Sequence, residues 1–481
     1  MELITLVRRD AYADSVALMR LSAELRALPG VVAASAVMAT ELNRELLGDA
    51  GLLTSDAAAA GAGDLVVSVR AESQAAARAA LERAEAMLAP RRGGAAVARE
   101  SAPRSIWSAA RHAEGATLAL ISVPGPYAAA EAHAALSAGL HVFLFSDGVP
   151  LEDEVVLKRR ATALGLFVMG PECGTCILDG IGLGFANRVR RGGIGLVGAS
   201  GTGLQEVTTL VHRLGGGVSH AIGTGGRDLD RAVGGLTTLQ ALEWLGRDPE
   251  TRVIVVVSKP GSEVVARRVL DAAASSGKPV IACLLGGKSA PPETVRAVAT
   301  LDEAARLAVI ALGGPLPSFP AFPDPVSRSG GRVAGLFTGG SLCEEAEGIV
   351  GPGHRFIDFG SDRFTRGRPH PMIDPSLRNA AVAAAGGDAS VGVVLVDVVL
   401  GDGAHEDPAG TLAPAILAAR TTAARAGRTL CVIGHVVGTE EDPQRLSDQE
   451  ARLVDAGVIV RPSNRLAAEL ARAIVGEPDG G

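Results

Sequence analysis

The stretch Gly195-Leu-Val-Gly-Ala-Ser-Gly-Thr-Gly-Leu204 decides the fold of its surroundings. An apolar strand runs into small residues and then into a helix, which is the pattern of a βα unit in a parallel sheet. The stretch Ala334-Gly-Leu-Phe-Thr-Gly-Gly-Ser-Leu342 repeats this pattern in shorter form. We therefore predict two tandem, doubly wound domains of the flavodoxin type, each opened by a strand, a glycine-rich turn and a helix.

Working outward from these turns, the chain reads as an α/β protein of four domains. Residues 1–100 follow a β-α-β…β-α order, which predicts an α+β module of the split βαβ type. Short apolar strands separated by helices predict a Rossmann-like domain at 101–190 and flavodoxin-like domains at 191–312 and 330–476. Five prolines in the segment 313–329 indicate a linker.

Composition narrows the class of protein. A formal net charge of −7 over 481 residues gives no reason to expect a nucleic-acid partner. The first residues lack the pattern of a signal peptide, and no run of about 18 apolar residues offers a membrane span. Five cysteines, an odd and sparse set, suit a reducing compartment. We expect a cytoplasmic protein that contacts no membrane.

Both glycine-rich turns have the chemistry of an anion-binding site. Free backbone N–H groups and the positive end of a helix dipole meet there, and hydroxyl groups add donors. A tight turn with a good N-cap would explain either turn alone, but two copies in matching domains favour convergence on one ligand. The predicted phosphate-binding residues are Ser200, Gly201, Thr202, Gly203, Gly339, Gly340 and Ser341.

A third glycine-rich segment, Gly223-Thr-Gly-Gly-Arg-Asp228, predicts a loop at the carboxyl end of a strand, where α/β sheets bind ligands. Gly225 and Gly226 would let the backbone approach the ligand, and Arg227 could bind a phosphate or carboxylate. Asp228 could bind there too, cap a helix or orient Arg227, so a structural pair remains open. The nearby His220 is better explained as a packed core residue than as a catalyst.

The segment 363–374 carries three arginines and a histidine beside prolines, which is unusual in an acidic protein. It could form a rigid cationic loop that closes on an anionic substrate, with Arg363, Arg366 and His370 as candidates. A solvated loop is the alternative. Cys173 and Cys176 have CxxC spacing, but no second pair or histidine cluster accompanies them, so we predict no metal site.

These residues carry a family resemblance. The segments 116–127, 146–150 and 169–175 are similar to the CoA-binding domain of the succinyl-CoA synthetase α subunit, and 195–206 and 223–228 to its ligase domain. The region 330–475 resembles the ligase domain of the β subunit. Along its whole length the chain resembles the FdrA family, in which both types are fused behind a different N-terminal module. The resemblance implies a CoA-binding-type domain at 101–190, an α-type ligase domain at 191–312 and a β-type ligase domain at 330–476.

The chain departs from the synthetase at its reactive centre. The loop that carries the phosphorylated histidine in the synthetase corresponds to Gly286-Gly-Lys-Ser-Ala-Pro-Pro292, which has no histidine. Lys259 stands where the synthetase has the glutamate that supports the phosphohistidine. The glycine loop that opens the CoA domain has no clear counterpart, and the nucleotide-binding ATP-grasp domain has none at all. A complete nucleotide-driven ligase is therefore not expected.

Membership of the FdrA family implies a subunit of oxamate carbamoyltransferase in ureide and allantoin breakdown, acting in an oligomer beside unrelated partner proteins. The enzyme interconverts carbamoyl phosphate plus oxamate with oxalurate plus phosphate. Arg227, Lys259 and His370 would be its catalytic side chains here, with no cofactor required. Two alternatives remain: an acyl-CoA ligase or CoA-binding protein, and a non-catalytic scaffold or regulator.

Overall fold

The structure is a computed structural model that describes residues 1–88, 105–314 and 330–476, except positions 12, 14, 260, 288, 289 and 367, together with positions 103 and 319. Most of the predicted linker at 313–329 therefore lies outside the described residues. The chain divides into two compact units, one of residues 1–105 with 366–369 and one of the remainder.

The first unit is a three-stranded antiparallel sheet covered by helices. Its elements are β1 (Glu2–Arg8), α1 (Ser15–Arg26), β2 (Val31–Met38), α2 (Glu41–Asp49), α3 (Ser55–Ala59), β3 (Leu65–Ala71) and α4 (Gln74–Leu88). The strand order is β1-β3-β2, with β3 antiparallel to both neighbours. Val67 and Val69 of β3 face the core under α1 and α4, whereas Val66 packs in a second cluster. This alternation is the period of two expected for a strand between two layers.

The second unit begins with a small parallel sheet of order β4-β5-β6. Its elements are α5 (Ile106–His112), β4 (Leu118–Ile121), α6 (Gly125–Ser137), β5 (His141–Leu144), α7 (Leu151–Leu164) and β6 (Val168–Met169). The alanine-rich face of α6 packs against β5, with Ala128, Ala132 and Ala135 buried. Small side chains let the helix approach the sheet closely.

A seven-stranded sheet follows, in the order β13-β12-β11-β9-β10-β7-β8. Its elements are β7 (Thr175–Leu178), β8 (Ile181–Gly184), β9 (Arg191–Ala199), α8 (Gly201–Arg213), β10 (Val218–Gly223), α9 (Leu236–Arg247), β11 (Val253–Ser258), α10 (Glu263–Ala274), β12 (Val280–Leu284), β13 (Val295–Val298) and α11 (Leu301–Ala311). The five strands from β9 to β13 are parallel in flavodoxin order, and the β7–β8 hairpin pairs antiparallel to β10.

A five-stranded parallel sheet of order β15-β14-β16-β17-β18 completes the unit, again in flavodoxin order. Its elements are β14 (Arg332–Phe337), α12 (Gly340–Val350), β15 (Arg355–Asp358), α13 (Asp362–Thr365), α14 (Ser376–Ala385), β16 (Val391–Val399), α15 (Pro408–Arg425), β17 (Cys431–Val437), α16 (Leu446–Asp455), β18 (Ile459–Arg461) and α17 (Asn464–Val475). The predicted fold class is thus confirmed, whereas the β7–β8 hairpin was not predicted.

The two larger sheets share one hydrophobic core. Residues of α8 such as Val207 and Leu210 belong to the same buried cluster as Leu342 of α12 and Ala467 of α17. Burial of this apolar surface fixes α8 beside α12. Among the described residues, no helix has the length and apolar character needed to cross a membrane.

Candidate functional site

The helices α8 and α12 meet at their N-termini. The Ser200 and Ser341 Oγ atoms lie 2.5 Å apart, both buried. A Cβ atom added to Gly339 would lie 3.0 Å from Thr202 Cβ, so glycine is what allows the second turn to approach the first so closely. The two predicted anion-binding turns are therefore brought together at one point.

Several backbone donors at this meeting point are unused within the described chain. Ser200 caps α8, because its Oγ accepts from Gly203 N at 3.1 Å. The first N–H groups of each helix have no intrahelical acceptor. Those without a partner in the described residues are the N–H groups of Gly201, Thr202, Gly340, Ser341 and Leu342. Their dipoles add where the helices converge.

Lys259 supplies positive charge to the same point. It follows β11, the neighbour of β9, and so lies at the topological switch point of the seven-stranded sheet. A Cβ atom added to Gly340 would lie 2.5 Å from both Lys259 Nζ and Asp358 Oδ2. Burial raises the pKa of Asp358, and the Lys259 ammonium opposes that rise. Among the described residues, the ammonium forms no ion pair within 4.0 Å.

A small pocket opens beside Ser200 and is lined by three loops. Gly225 and Gly226 line it, together with residues 172–175 from the β6–β7 loop and the start of β7. Gly223 and Gly225 pack against the backbone of Thr175 and Pro171, where no side chain would fit. Glu172 was not predicted, although it is a non-glycine residue with a left-handed φ of 58°. The sequence carries no signal for that conformation.

Arg227 and Asp228 belong to a buried network of four charged side chains. Lys158 Nζ lies 2.8 Å from Glu154 Oε1 and 2.7 Å from Asp228 Oδ1. Arg227 Nε lies 3.0 Å from Glu154 Oε2, and Asp228 also accepts from Thr238 N at 2.9 Å. Asp228 is fully buried, so its carboxylate caps α9 rather than facing the pocket. Asp228 therefore has the structural role of capping a helix, and Arg227 pairs with Glu154 rather than with Asp228.

His220 and His370 occupy different surroundings. His220 is a core residue of β10 whose ring lies 4.6 Å from that of Trp244. Burial lowers the pKa of His370 to about 4, so its imidazole is neutral at pH 7. His370 Nδ1 accepts from Met372 N at 3.2 Å, which leaves Nε2 as the protonated donor. Nε2 lies above Gly360, beside Thr338 O and Asp358 Oδ1.

The arginine-rich segment does not form a single structural element. Arg363 is exposed on the short helix α13, with its guanidinium 5.5 Å from the centre of the Phe364 ring. Arg366 is exposed and groups with the first unit. Of the three candidates, His370 packs inside the second unit, beside Phe185 at 5.6 Å between ring centres.

The CxxC cysteines are buried side chains of the core. Burial raises the pKa of both thiols, that of Cys176 to about 12, so neither forms a thiolate readily. Within the described chain, no group of three or more His, Cys, Asp or Glu side chains is placed to hold a metal ion. The tip of the loop that replaces the phosphohistidine loop, Lys288 and Ser289, lies outside the described residues.

Family models match three parts of the chain. Residues 1–103 match the AllF heavy metal-associated domain, 190–286 the CoA-binding domain and 336–474 the CoA-ligase domain. The CoA-binding match thus covers the second parallel sheet, whereas the sequence assigned CoA-binding character to 101–190. Residues 1–103 contain no cysteine and no histidine, so this stretch has no thiolate or imidazole with which to bind a metal ion.

Two relatives illustrate the two levels of similarity. The chain is 39% identical to YahF of Escherichia coli K12 over 98% of both chains. It is 30% identical to the succinate–CoA ligase [ADP-forming] subunit alpha 2 of Archaeoglobus fulgidus, over 42% of this chain and 70% of that one.

Among solved structures, the acetyl-coenzyme A synthetase 1 of Candidatus Korarchaeum cryptofilum matches with 16% identity and a TM-score of 0.34, over 75% of this chain and 84% of that one. That likeness is too weak to carry an argument about this chain. The family assignment rests instead on E. coli YahF, whose similarity extends over 98% of this chain. The chain belongs to the family of E. coli YahF, an FdrA-like family that joins an AllF-type N-terminal domain to CoA-binding and CoA-ligase domains of the succinyl-CoA synthetase α type.

Proposed function

We propose that the chain is a carbamoyltransferase subunit that binds carbamoyl phosphate where α8 and α12 meet. The observation that carries the proposal is the 2.5 Å approach of the Ser200 and Ser341 hydroxyl groups at two helix N-termini. A dianionic phosphoryl group is the kind of ligand that such a point favours, because free N–H groups, hydroxyls and two helix dipoles surround it. Lys259 would neutralise further charge.

The reaction would need no covalent enzyme intermediate. The amide nitrogen of oxamate attacks the carbamoyl carbon, the bond from that carbon to the phosphate oxygen breaks, and phosphate leaves as oxalurate forms. The helix termini would stabilise the departing phosphate, and the neutral His370 would donate from Nε2 to the second substrate. Positioning and charge stabilisation thus suffice, which agrees with the absence of a histidine in residues 286–292.

The test measures phosphate release from carbamoyl phosphate and oxamate by the chain with its co-purified partner proteins. Lys259→Met should weaken inorganic phosphate binding at least about tenfold, because a close charged partner at an anion is worth more than 1 kcal/mol. Arg247→Met is the matched control, since that cation pairs with Glu243 on the exposed face of α9. Equal phosphate affinity in both variants would contradict the site.

A second candidate is CoA binding, which the matches to the CoA-binding and CoA-ligase family models favour. Calorimetry with CoA separates the two functions. Micromolar affinity for CoA, without phosphate release from carbamoyl phosphate, would support this candidate. A phosphorylated histidine formed after treatment with ATP would support a ligase and contradict the carbamoyltransferase proposal.

A further inference from the structure

Glu172 occupies the wall of the pocket beside Ser200 in a backbone conformation that side-chain-bearing residues rarely adopt. Its φ of 58° is left-handed, and its N–H donates to Ser146 O at 3.0 Å. On the other side, Gly225 packs so closely on Pro171 and Gly170 that the 170–172 backbone cannot shift toward it. Both contacts hold the residue where its side chain lines the pocket with Thr175, Ser200 and Gly201. Non-glycine residues in this conformation are concentrated at functional sites.

The carboxyl group of Glu172 is half-buried and without a partner. Among the described residues it forms no hydrogen bond and no ion pair, although its neighbours are charged. The nearest cation, Arg227, is held by Glu154 Oε2 at 3.0 Å. The fully buried carboxylates nearby, Glu154 and Asp228, are both paired. A carboxyl group left free in a pocket is available to a ligand.

The charges around Glu172 favour its protonated form. Burial raises the pKa of Glu172, the Arg227 guanidinium opposes that rise, and the carboxylates of Asp362, Asp147 and Glu154 add to it. These three carboxylates come from the first residue of α13, the loop before α7 and α7 itself. A carboxyl group with a raised pKa keeps its proton to higher pH than an exposed one, and its carboxylate is a stronger base.

We infer that Glu172 is the proton acceptor of the pocket. The inference deepens the proposed function and rests on it. When the amide nitrogen of the acceptor bonds to the carbamoyl carbon, that nitrogen must lose one proton as phosphate leaves. The Glu172 carboxylate takes this proton and passes it through solvent to the departing phosphate, and in the reverse direction the carboxylic acid returns it to the same nitrogen. A bound phosphoryl dianion beside Glu172 raises the pKa of this carboxyl group further, which makes the carboxylate a stronger proton acceptor, so anion binding takes up a fraction of a proton.

The first experiment follows inorganic phosphate binding by calorimetry in buffers of different ionisation enthalpy, across about pH 6 to 8. The wild type should take up more protons per phosphate bound than Glu172→Gln, and Glu172→Gln should bind phosphate several-fold more tightly at the high-pH end. Glu152→Gln, on the exposed first turn of α7, is the matched control and should behave as the wild type. Equal proton uptake by the wild type and Glu172→Gln would overturn the inference.

The second experiment measures turnover of carbamoyl phosphate and oxamate by the complex with its partner proteins. Glu172→Gln should lower kcat about 100-fold or more and remove the acidic limb of the pH profile, as expected when a proton acceptor is lost. Glu172→Asp should restore part of the rate, because aspartate tolerates left-handed backbone. An active wild type with an equally active Glu172→Gln would overturn this inference alone. A wild type that neither binds phosphate nor turns over would overturn the proposed function and the inference with it.

Discussion

Helices α8 and α12 occupy corresponding positions in two flavodoxin-type domains, but different hydrogen bonds hold the turns that precede them. Helix α8 is capped by its own Ser200, whereas α12 begins at Gly339, which has no side chain to cap with. Asp397 of the adjacent strand β16 instead holds the turn that leads into α12, because its carboxylate accepts from Thr338 N and Gly339 N at 2.7 Å each. The second turn therefore depends on a residue almost 60 positions away.

The same contrast recurs one turn further along each helix. Glu206 of α8 is paired with His435 at 2.7 Å, whereas Glu345 of α12 is held by the neutral donors Asn464 Nδ2 and Leu301 N. Burial lowers the pKa of His435, but the Glu206 carboxylate outweighs it and raises that pKa overall. Burial raises the pKa of Glu345 to about 7. Glutamates at corresponding positions of the two helices are thus held differently, by an ion pair in α8 and by hydrogen bonds from neutral groups in α12.

The largest effect on stability is expected at Asp397, which holds the turn before α12. Asp397→Ala should lower the free energy of unfolding by about 3–5 kcal/mol, because it leaves the buried Arg378 guanidinium, 3.6 Å away, without its carboxylate. Denaturant unfolding measures the change. Asp402→Ala removes an exposed partner of Arg188 and should cost under about 1 kcal/mol. Similar losses in the two variants would mean that Asp397 does not support the second turn.

A pH series tests the glutamate of α12. A folded-state pKa near 7, above the ordinary 4.5, means that the proton on Glu345 stabilises the fold fully below pH 4.5 and that this stabilisation is lost as the pH rises through about 7. The raised pKa of His435 acts in the same direction at higher pH. The loss from Glu345 should be on the order of 3 kcal/mol.

Glu345→Gln should flatten this pH dependence, since the unpartnered Asn464 Oδ1 offers an acceptor for the new amide. Glu347→Gln, exposed on the same helix, should leave the pH dependence as in the wild type. Chemical denaturation at each pH gives the comparison. If the stability of Glu345→Gln changed with pH as that of the wild type does, a residue other than Glu345 would cause the pH dependence.

A methyl group added at the N-terminus of α12 should weaken phosphate binding, whereas one added further along the helix should change only stability. Gly340→Ala would push its methyl group against Lys259 Nζ and Asp358 Oδ2, so phosphate affinity should fall about tenfold, or 1.4 kcal/mol. Gly348→Ala, on the same helix with open space around it, should leave affinity unchanged and stabilise the chain by about 0.5–1 kcal/mol. Calorimetry and thermal unfolding of both variants decide whether the anion sits at this helix end.

The smallest expected effect distinguishes the two serines. Ser200→Ala should cost about 1 kcal/mol of stability, since it removes the N-cap of α8. Ser341→Ala removes a hydroxyl that caps nothing and should cost a few tenths of a kcal/mol. Both should weaken phosphate binding to a similar degree. A larger stability loss for Ser341→Ala than for Ser200→Ala would contradict the conclusion that α8, and not α12, is capped by its serine.

Local pattern was enough to predict the turns, their helices and the flavodoxin-type sheets. The strand-turn-helix signal at 195–204 and 334–342 depends on residues adjacent in sequence, and local signals are those that a single chain displays. Asp397 had a weaker signal that could have been used, because it is the only charged residue in the apolar strand 391–399. A carboxylate inside such a strand must find buried donors.

Contacts between distant segments could not be predicted in this way. The Lys158 network joins α7 to a loop 70 residues later, and only its Glu154 pair lies within one helix. The left-handed backbone of Glu172 follows from packing against the 223–226 loop rather than from its own residue type. His370 was singled out by composition, but its neutral state depends on burial that the sequence does not display.

The β7–β8 hairpin bears on how the chain can be divided. These two strands precede the boundary at 190 that the family match draws, yet they extend the sheet that lies after it. A fragment begun at 190 would lack the neighbour of β10 and present an open strand edge, which is a site of self-association. A fragment that contains the two ligase-type sheets should therefore start before the hairpin, because the sheet boundary lies earlier in the chain than the boundary of the family match.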